Sequence, residues 1–273
     1  MSAGVLRGCR CRVQPASGAV SGGVIMKLFI LVTTIICSIC NASPVWLGGD
    51  VTFQSKYIWR GAVINDKPVI QPWIASGIGN AAVTIWGSLD LTDQNTYLEN
   101  SEVQDPSGKF TEIDLILNYS GNIGPTCLTA GYNKYWYPNS PYSETSASEA
   151  TLSACYDAFL YPTLTTAFSM GDAEGVYMAL TLSHSERISE LASADISVNL
   201  GYGDEKHNGY YYGAAQGGLA DLTVNLSVPF VLPSNFTIAP IIEYASLLDS
   251  EVRDAFDNPS NFRGGVSLTR YFL

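Results

Sequence analysis

Apolar and polar residues alternate along most of this chain with a period of two. In the first such segment Val45, Leu47, Val51, Phe53, Tyr57 and Trp59 fall on one face, and Asp50, Thr52, Gln54, Lys56 and Arg60 on the other. Successive side chains of a strand point to opposite sides, so this is the signature of a two-faced β-strand. The pattern recurs. Ile113, Leu115, Leu117 and Tyr119 alternate with Glu112, Asp114 and Asn118, and Leu222, Val224, Leu226 and Val228 with Asp221, Thr223, Asn225 and Ser227. It predicts twelve strands, near 45–61, 67–78, 81–92, 110–120, 124–137, 147–158, 160–170, 174–184, 194–203, 219–230, 235–246 and 261–273.

The connections alternate too. Those at 61–67, 92–109, 137–147, 170–174, 203–219 and 246–261 form one set, and the shorter 78–81, 120–124, 158–160, 184–194 and 230–235 the other. An even strand count with long connections on one side and short turns on the other predicts an all-β transmembrane antiparallel up-and-down barrel of the outer-membrane type. Closure leaves no unpaired strand edge for lipid to meet. A soluble β-sandwich or lipocalin-like barrel alternates as well, with its apolar face turned inward, and periodicity alone does not separate the two. Three features favour the membrane. The last strand is amphipathic with a near-terminal Phe272, the kind of ending read by barrel assembly machinery. Aromatics (Tyr119, Tyr132, Trp136, Tyr156, Tyr244 among them) cluster near predicted strand ends, where membrane girdles sit. Only 14% of residues are charged, below the usual quarter for soluble domains. The connection at 185–193 is long for a short-side turn. Either Ser185 caps a short helix there with Ile188, Leu191 and Ala192 on one face, or the strand count fails at that point.

The first 42 residues hold four basic side chains and no acid. From Met26 a lysine precedes the apolar stretch 28–40 and then small residues, the layout of a secretory signal peptide over 26–42. That stretch of 13 residues is too short to span a bilayer as a helix. Residues 1–25, Gly-rich and basic without periodicity, read as disordered and as an over-long translation, leaving 43–273 as a single barrel. Without the first 42 residues 10 basic and 25 acidic side chains remain, and the net charge moves from −11 to −15. That balance excludes a nucleic-acid partner, since phosphates require basic patches.

The segment Ser55-Lys56-Tyr57-Ile58-Trp59-Arg60-Gly61, followed by Gln71-Pro72 and Trp86-Gly87, resembles the TorF-type porin family of bacterial outer-membrane proteins. Glu112 and Asp114 before Tyr119, Gly131-Tyr132, Gly201-Tyr202 and Gly265-Val266-Ser267-Leu268 resemble shorter motifs of that family, whereas Leu273 after Phe272 departs from its ending. The resemblance implies an outer-membrane barrel and a channel, and names no substrate.

If the apolar face meets lipid, the polar face lines a lumen. Asp50, Asp90, Glu112, Asp114, Asp157, Asp195, Asp221 and Glu243 then face Lys56, Arg60 and Arg263, eight acids against three bases. Like charge in a confined passage concentrates counter-ions, so small polar or cationic solutes are expected partners. Arg60 either narrows the pore or anchors the first loop. Cys127 and Cys155 lie on consecutive strands about a turn near 141, opposite one another on the lumen face; they form a cross-strand disulfide or stay reduced. His184 sits at a strand end on the lipid face, and His207 reads as a solvated loop residue. With no catalytic or metal-ligand spacing, neither enzyme activity nor a cofactor is expected. Two functions remain: a passive outer-membrane channel, or a structural or adhesive barrel with a plugged lumen and functional loops. Homo-oligomerisation is left open.

Overall fold

The computed structural model describes residues 45–93, 106–139, 146–171 and 173–272. The signal-peptide expectation for 26–42 and the reading of 1–25 lie outside the described residues. In chain order the strands are β1 (Val45–Gln54), β2 (Tyr57–Trp59), β3 (Ala62–Asn65), β4 (Val69–Ile78), β5 (Ala81–Asp90), β6 (Phe110–Ile123), β7 (Thr126–Trp136) and β8 (Ser146–Tyr156). They continue as β9 (Thr163–Met170), β10 (Gly175–Arg187), β11 (Ser193–Gly203), β12 (Gly218–Ser227), β13 (Phe230–Val231), β14 (Phe236–Leu247) and β15 (Ser260–Tyr271). Among the described residues two short α-helices, α1 (Glu205–Tyr212) and α2 (Ser250–Asp254), sit in long connections.

Twelve of the strands close into one antiparallel barrel. β1 pairs with β4 and with β15, neighbours pair in turn from β4 to β12, and β12–β14 and β14–β15 complete the ring. The two-residue β13 continues the β12 side of the ladder by pairing with Ile238 and Thr237 of β14, and β2–β3 form a separate hairpin.

The burial of the two faces decides between the alternatives left open by periodicity. Val51, Phe53, Leu117, Leu152, Leu164, Leu180, Ile196, Leu226 and Leu268 are exposed on the outside. Asp50, Thr52, Asp90, Asp114, Glu149, Asp221, Asn225 and Glu243 are buried inside. A soluble barrel or sandwich would invert this arrangement, because water is the solvent that rejects apolar surface. Here the polar side chains share an interior and the apolar ones form a belt, the arrangement of a transmembrane β-barrel.

Three local expectations are corrected. The predicted strand 45–61 ends at Gln54, because the chain bends at Ser55-Lys56 and enters the hairpin. Tyr57 therefore lies buried inside the barrel instead of facing lipid. No helix forms at 185–193: β10 runs on to Arg187 and β11 begins at Ser193, joined by a turn in which the Ile188 and Ser189 amides donate to the Ala192 carbonyl. A longer ladder satisfies more backbone groups than one helical turn would. The twelve-strand count stands. The long connection 203–219, in contrast, does contain a helix. Asp204 caps α1 by accepting from the His207 amide, and Gly213, in the left-handed region at φ 71°, ends it.

Candidate lumen site

The β2–β3 hairpin folds into the long-loop end of the barrel. Its tip turns through Arg60 at φ 46° and Gly61 at φ 80°, both left-handed. Gly61 has two reasons to be glycine. Its φ disfavours a side chain, and a Cβ there would stand 2.7 Å from the Asp221 Cβ and 2.9 Å from Leu247. The hairpin thus presses directly on β12 and β14, where Ala62 joins a buried apolar cluster with Leu247, Val252, Tyr212 and Tyr177.

Arg60 is the centre of the site. Its guanidinium makes a two-pronged bond to Glu149 on β8, with Nη1 to Oε1 and Nη2 to Oε2 both at 2.8 Å. Glu149 also accepts from the Tyr135 hydroxyl at 2.8 Å and from Ser169 at 3.3 Å. The rings of Trp59 and Tyr177 lie 4.3 and 4.1 Å from the guanidinium carbon. The Tyr212 hydroxyl of α1 donates to the Arg60 carbonyl at 2.9 Å. Of the two roles left open for Arg60, these bonds describe an anchor for the first long connection, held within the mouth of the barrel.

Other acids find partners along the wall. Glu243 and Arg263 oppose one another on β14 and β15, with Nε to Oε1 at 2.8 Å and Nη2 to Oε2 at 2.9 Å. The Tyr57 hydroxyl donates to Glu112 at 2.9 Å, and the Tyr177 hydroxyl to Asp221 at 2.7 Å. Thr52 and Thr269 donate to Asp50, and Thr111 to Asp90. Asp114 is fully buried beside the carboxyl of Glu112 on the same face of β6. Lys56 reaches Asn261 at 3.1 Å. Asp195, half-buried at the short-turn rim, accepts from Ser185 and Ser193. Asp157 lies exposed beyond the end of β8, where its amide donates to the Pro125 carbonyl, and so does not line the lumen as the extended strand 147–158 suggested. Cys127 and Cys155 are directly opposed on β7 and β8 and joined by a disulfide.

Three lumen features escape a reading of the sequence. Glu149, the partner of Arg60, is one of them, although the parity that puts Cys155 inside places Glu149 on the same face. The alternation around it is blurred, because Ala147, Ser148, Ala150 and Ser153 are small on both faces. Trp46 and Trp73 also point inward, near Tyr271 at the short-turn end, with ring separations of 6.3 and 6.5 Å. His207 is the third. It is fully buried against Tyr177, Tyr211 and Tyr212, a correction to its reading as a solvated loop residue. Burial and the nearby positive Arg60 push its imidazole down to about 3. Its signal was the tyrosine run Tyr210-Tyr211-Tyr212, which gives the loop enough apolar surface to fold onto the barrel.

Seven buried acids (Asp50, Asp90, Glu112, Asp114, Glu149, Asp221 and Glu243) thus share the described interior with the guanidinium groups of Arg60 and Arg263. No cluster of His, Cys, Asp and Glu suited to a metal occurs among the described residues.

No family model and no curated protein matches this chain. Among solved structures it is similar to the KdgM porin, at 11% identity and a TM-score of 0.50, over 83% of this chain and 99% of that one. It is equally similar to the NanC porin, at 11% identity and a TM-score of 0.50, over 83% of this chain and all of that one. At that identity the likeness speaks for the fold, and the chain is accordingly a twelve-stranded antiparallel β-barrel of the architecture seen in outer-membrane porins.

Proposed function

We propose that this chain is an outer-membrane channel of the TorF-type porin family, exported by its N-terminal signal, that passes small polar or cationic solutes through an acidic lumen. One observation carries the proposal: a closed barrel with an apolar exterior encloses seven buried acids and two guanidinium groups. An interior of that sign favours cations over anions. Lipid would cover the outer belt, and the strand ending at Tyr271-Phe272 would engage the assembly machinery. Membrane β-barrel porins of this kind act without enzymatic chemistry.

The second reading, a structural or adhesive barrel with functional loops, is favoured by the packing at the long-loop end. The β2–β3 hairpin, α1 and α2 pack together across the long-loop end. Planar-bilayer recording separates the two. The channel reading expects a small, cation-selective conductance that rises when residues 57–65 are replaced by a short Gly-Ser linker. A heat-modifiable, correctly inserted barrel that conducts in neither form would instead support the structural reading. A reversal potential showing anion preference would overturn the acidic-lumen proposal.

A further inference from the structure

We propose that the barrel wall carries a guanidinium-binding site, built on Glu149, Tyr135, Ser169 and Tyr177, which the protein's own Arg60 occupies and from which guanidinium-bearing solutes displace it. The inference names a solute class for the channel function and rests on that reading for its physiological meaning.

The wall and the occupant come from different parts of the fold. Tyr135, Glu149, Ser169 and Tyr177 sit on β7, β8, β9 and β10, four adjacent strands of the closed ring. Arg60 arrives on a hairpin outside that ring's ladder. Withdrawal of the hairpin leaves the wall residues in place, since their backbone bonds are made within the barrel. What remains is a carboxylate with Tyr135 and Ser169 still donating to it, at 2.8 and 3.3 Å, and two acceptor positions vacated by the two arms of the guanidinium. The Tyr177 ring still offers its face to a planar cation. A planar fork matches a carboxylate with two parallel bonds, which an ammonium group cannot do. A tethered Arg60 acts as a competitor at an effective concentration of order mM. Free solute must therefore exceed that concentration to displace it.

Arg60 is itself in a backbone conformation that glycine adopts more readily, so Arg60→Gly empties the site without demanding a new turn. Methylguanidinium titrated by calorimetry into detergent-solubilised, heat-modifiable Arg60→Gly is expected to bind saturably. The affinity should exceed that for methylammonium (charge without the fork) and for urea (shape without the charge) by at least about tenfold. Binding should fall by a similar factor in wild type, where Arg60 fills the site, and in Arg60→Gly/Glu149→Gln. Equal binding of the three probes, or undiminished binding in the double variant, would overturn the site. In wild type, methylguanidinium should also accelerate hydrogen exchange of the hairpin amides at 57–65, which equal methylammonium should not do. This measurement remains decisive if the variants fail to fold, and no acceleration there counts against the proposal. Selective binding without conductance in any form would leave the site standing and remove the channel reading. Conductance without selective binding would do the reverse.

Discussion

At the scale of single residues, the mouth of the barrel depends on a few positions where backbone and side chain have no freedom left. Gly61 is one. An alanine there meets a positive φ and the Asp221 side chain at once, at a cost of about 1–3 kcal/mol. Gly61→Ala is therefore expected to loosen the hairpin, seen as faster exchange of its amides while barrel-wall amides stay protected. His207 is another. Its folded pKa, about 3, lies below the ordinary value of 6.5, so the fold favours the neutral ring. The stability this contributes is complete above pH 6.5 and drains away as pH falls toward 3. Acidification across that window should speed exchange of the α1 amides beyond the intrinsic effect of pH, and His207→Gln should flatten the response. Arg60–Glu149 acts differently. A buried pair adds little net stability once its desolvation is counted. What it supplies is a single allowed position for the hairpin.

At the scale of elements, the barrel strands and the inserted segments are stabilised by different means. The strands satisfy one another's backbone along continuous ladders, β7–β8 from Thr126–Tyr156 to Trp136–Ser146. Their hairpin is also tied by the Cys127–Cys155 disulfide at its short-turn end. Replacing both cysteines by serine should lower stability by about 2–4 kcal/mol, measured as an earlier midpoint in urea unfolding from micelles. The β2–β3 hairpin has only two short strands, too little to hold itself in water. It stays in place through Tyr57 to Glu112, Arg60 to Glu149, and the Tyr212 and Arg263 bonds to its carbonyls. That division is why the hairpin, and not a wall strand, is the element expected to move.

At the scale of the whole molecule, one inversion governs the rest: polar inside, apolar outside. It makes charge costly on the middle of the outer belt, whereas Lys134 and Arg270 sit on the outward face near strand ends. Leu152, 57% exposed midway along β8, tests this. Leu152→Arg would be nearly neutral on a water-facing surface, whereas at the bilayer midplane it should cost about 2–4 kcal/mol. Folding equilibria in lipid vesicles against denaturant would report the difference, and a cost near zero would remove Leu152 from the lipid face.

Which features the sequence carries follows from which interactions are local. The twelve strands could be read because each carries its own period of two, and the register of a strand follows from which face is buried. Asp50, Asp90, Glu112, Asp114, Asp221 and Glu243 could be placed on a common face by parity alone. The opposition of Cys127 and Cys155 followed from counting about one turn. Periodicity is blind to the sign of the inside, and to contacts between segments far apart in the chain. The end of the first strand at Gln54, the turning of Tyr57 inward, and the meeting of Arg60 with Glu149, 89 residues away, depend on closure of the ring around the hairpin. So does the burial of His207 beneath a tyrosine-rich helix. Twelve two-faced strands with acids gathered on one face are encoded locally, because strand geometry is set between neighbouring residues. That this face is the interior, and that a hairpin and two helices pack together at its long-loop end, arises only where distant strands close on one another.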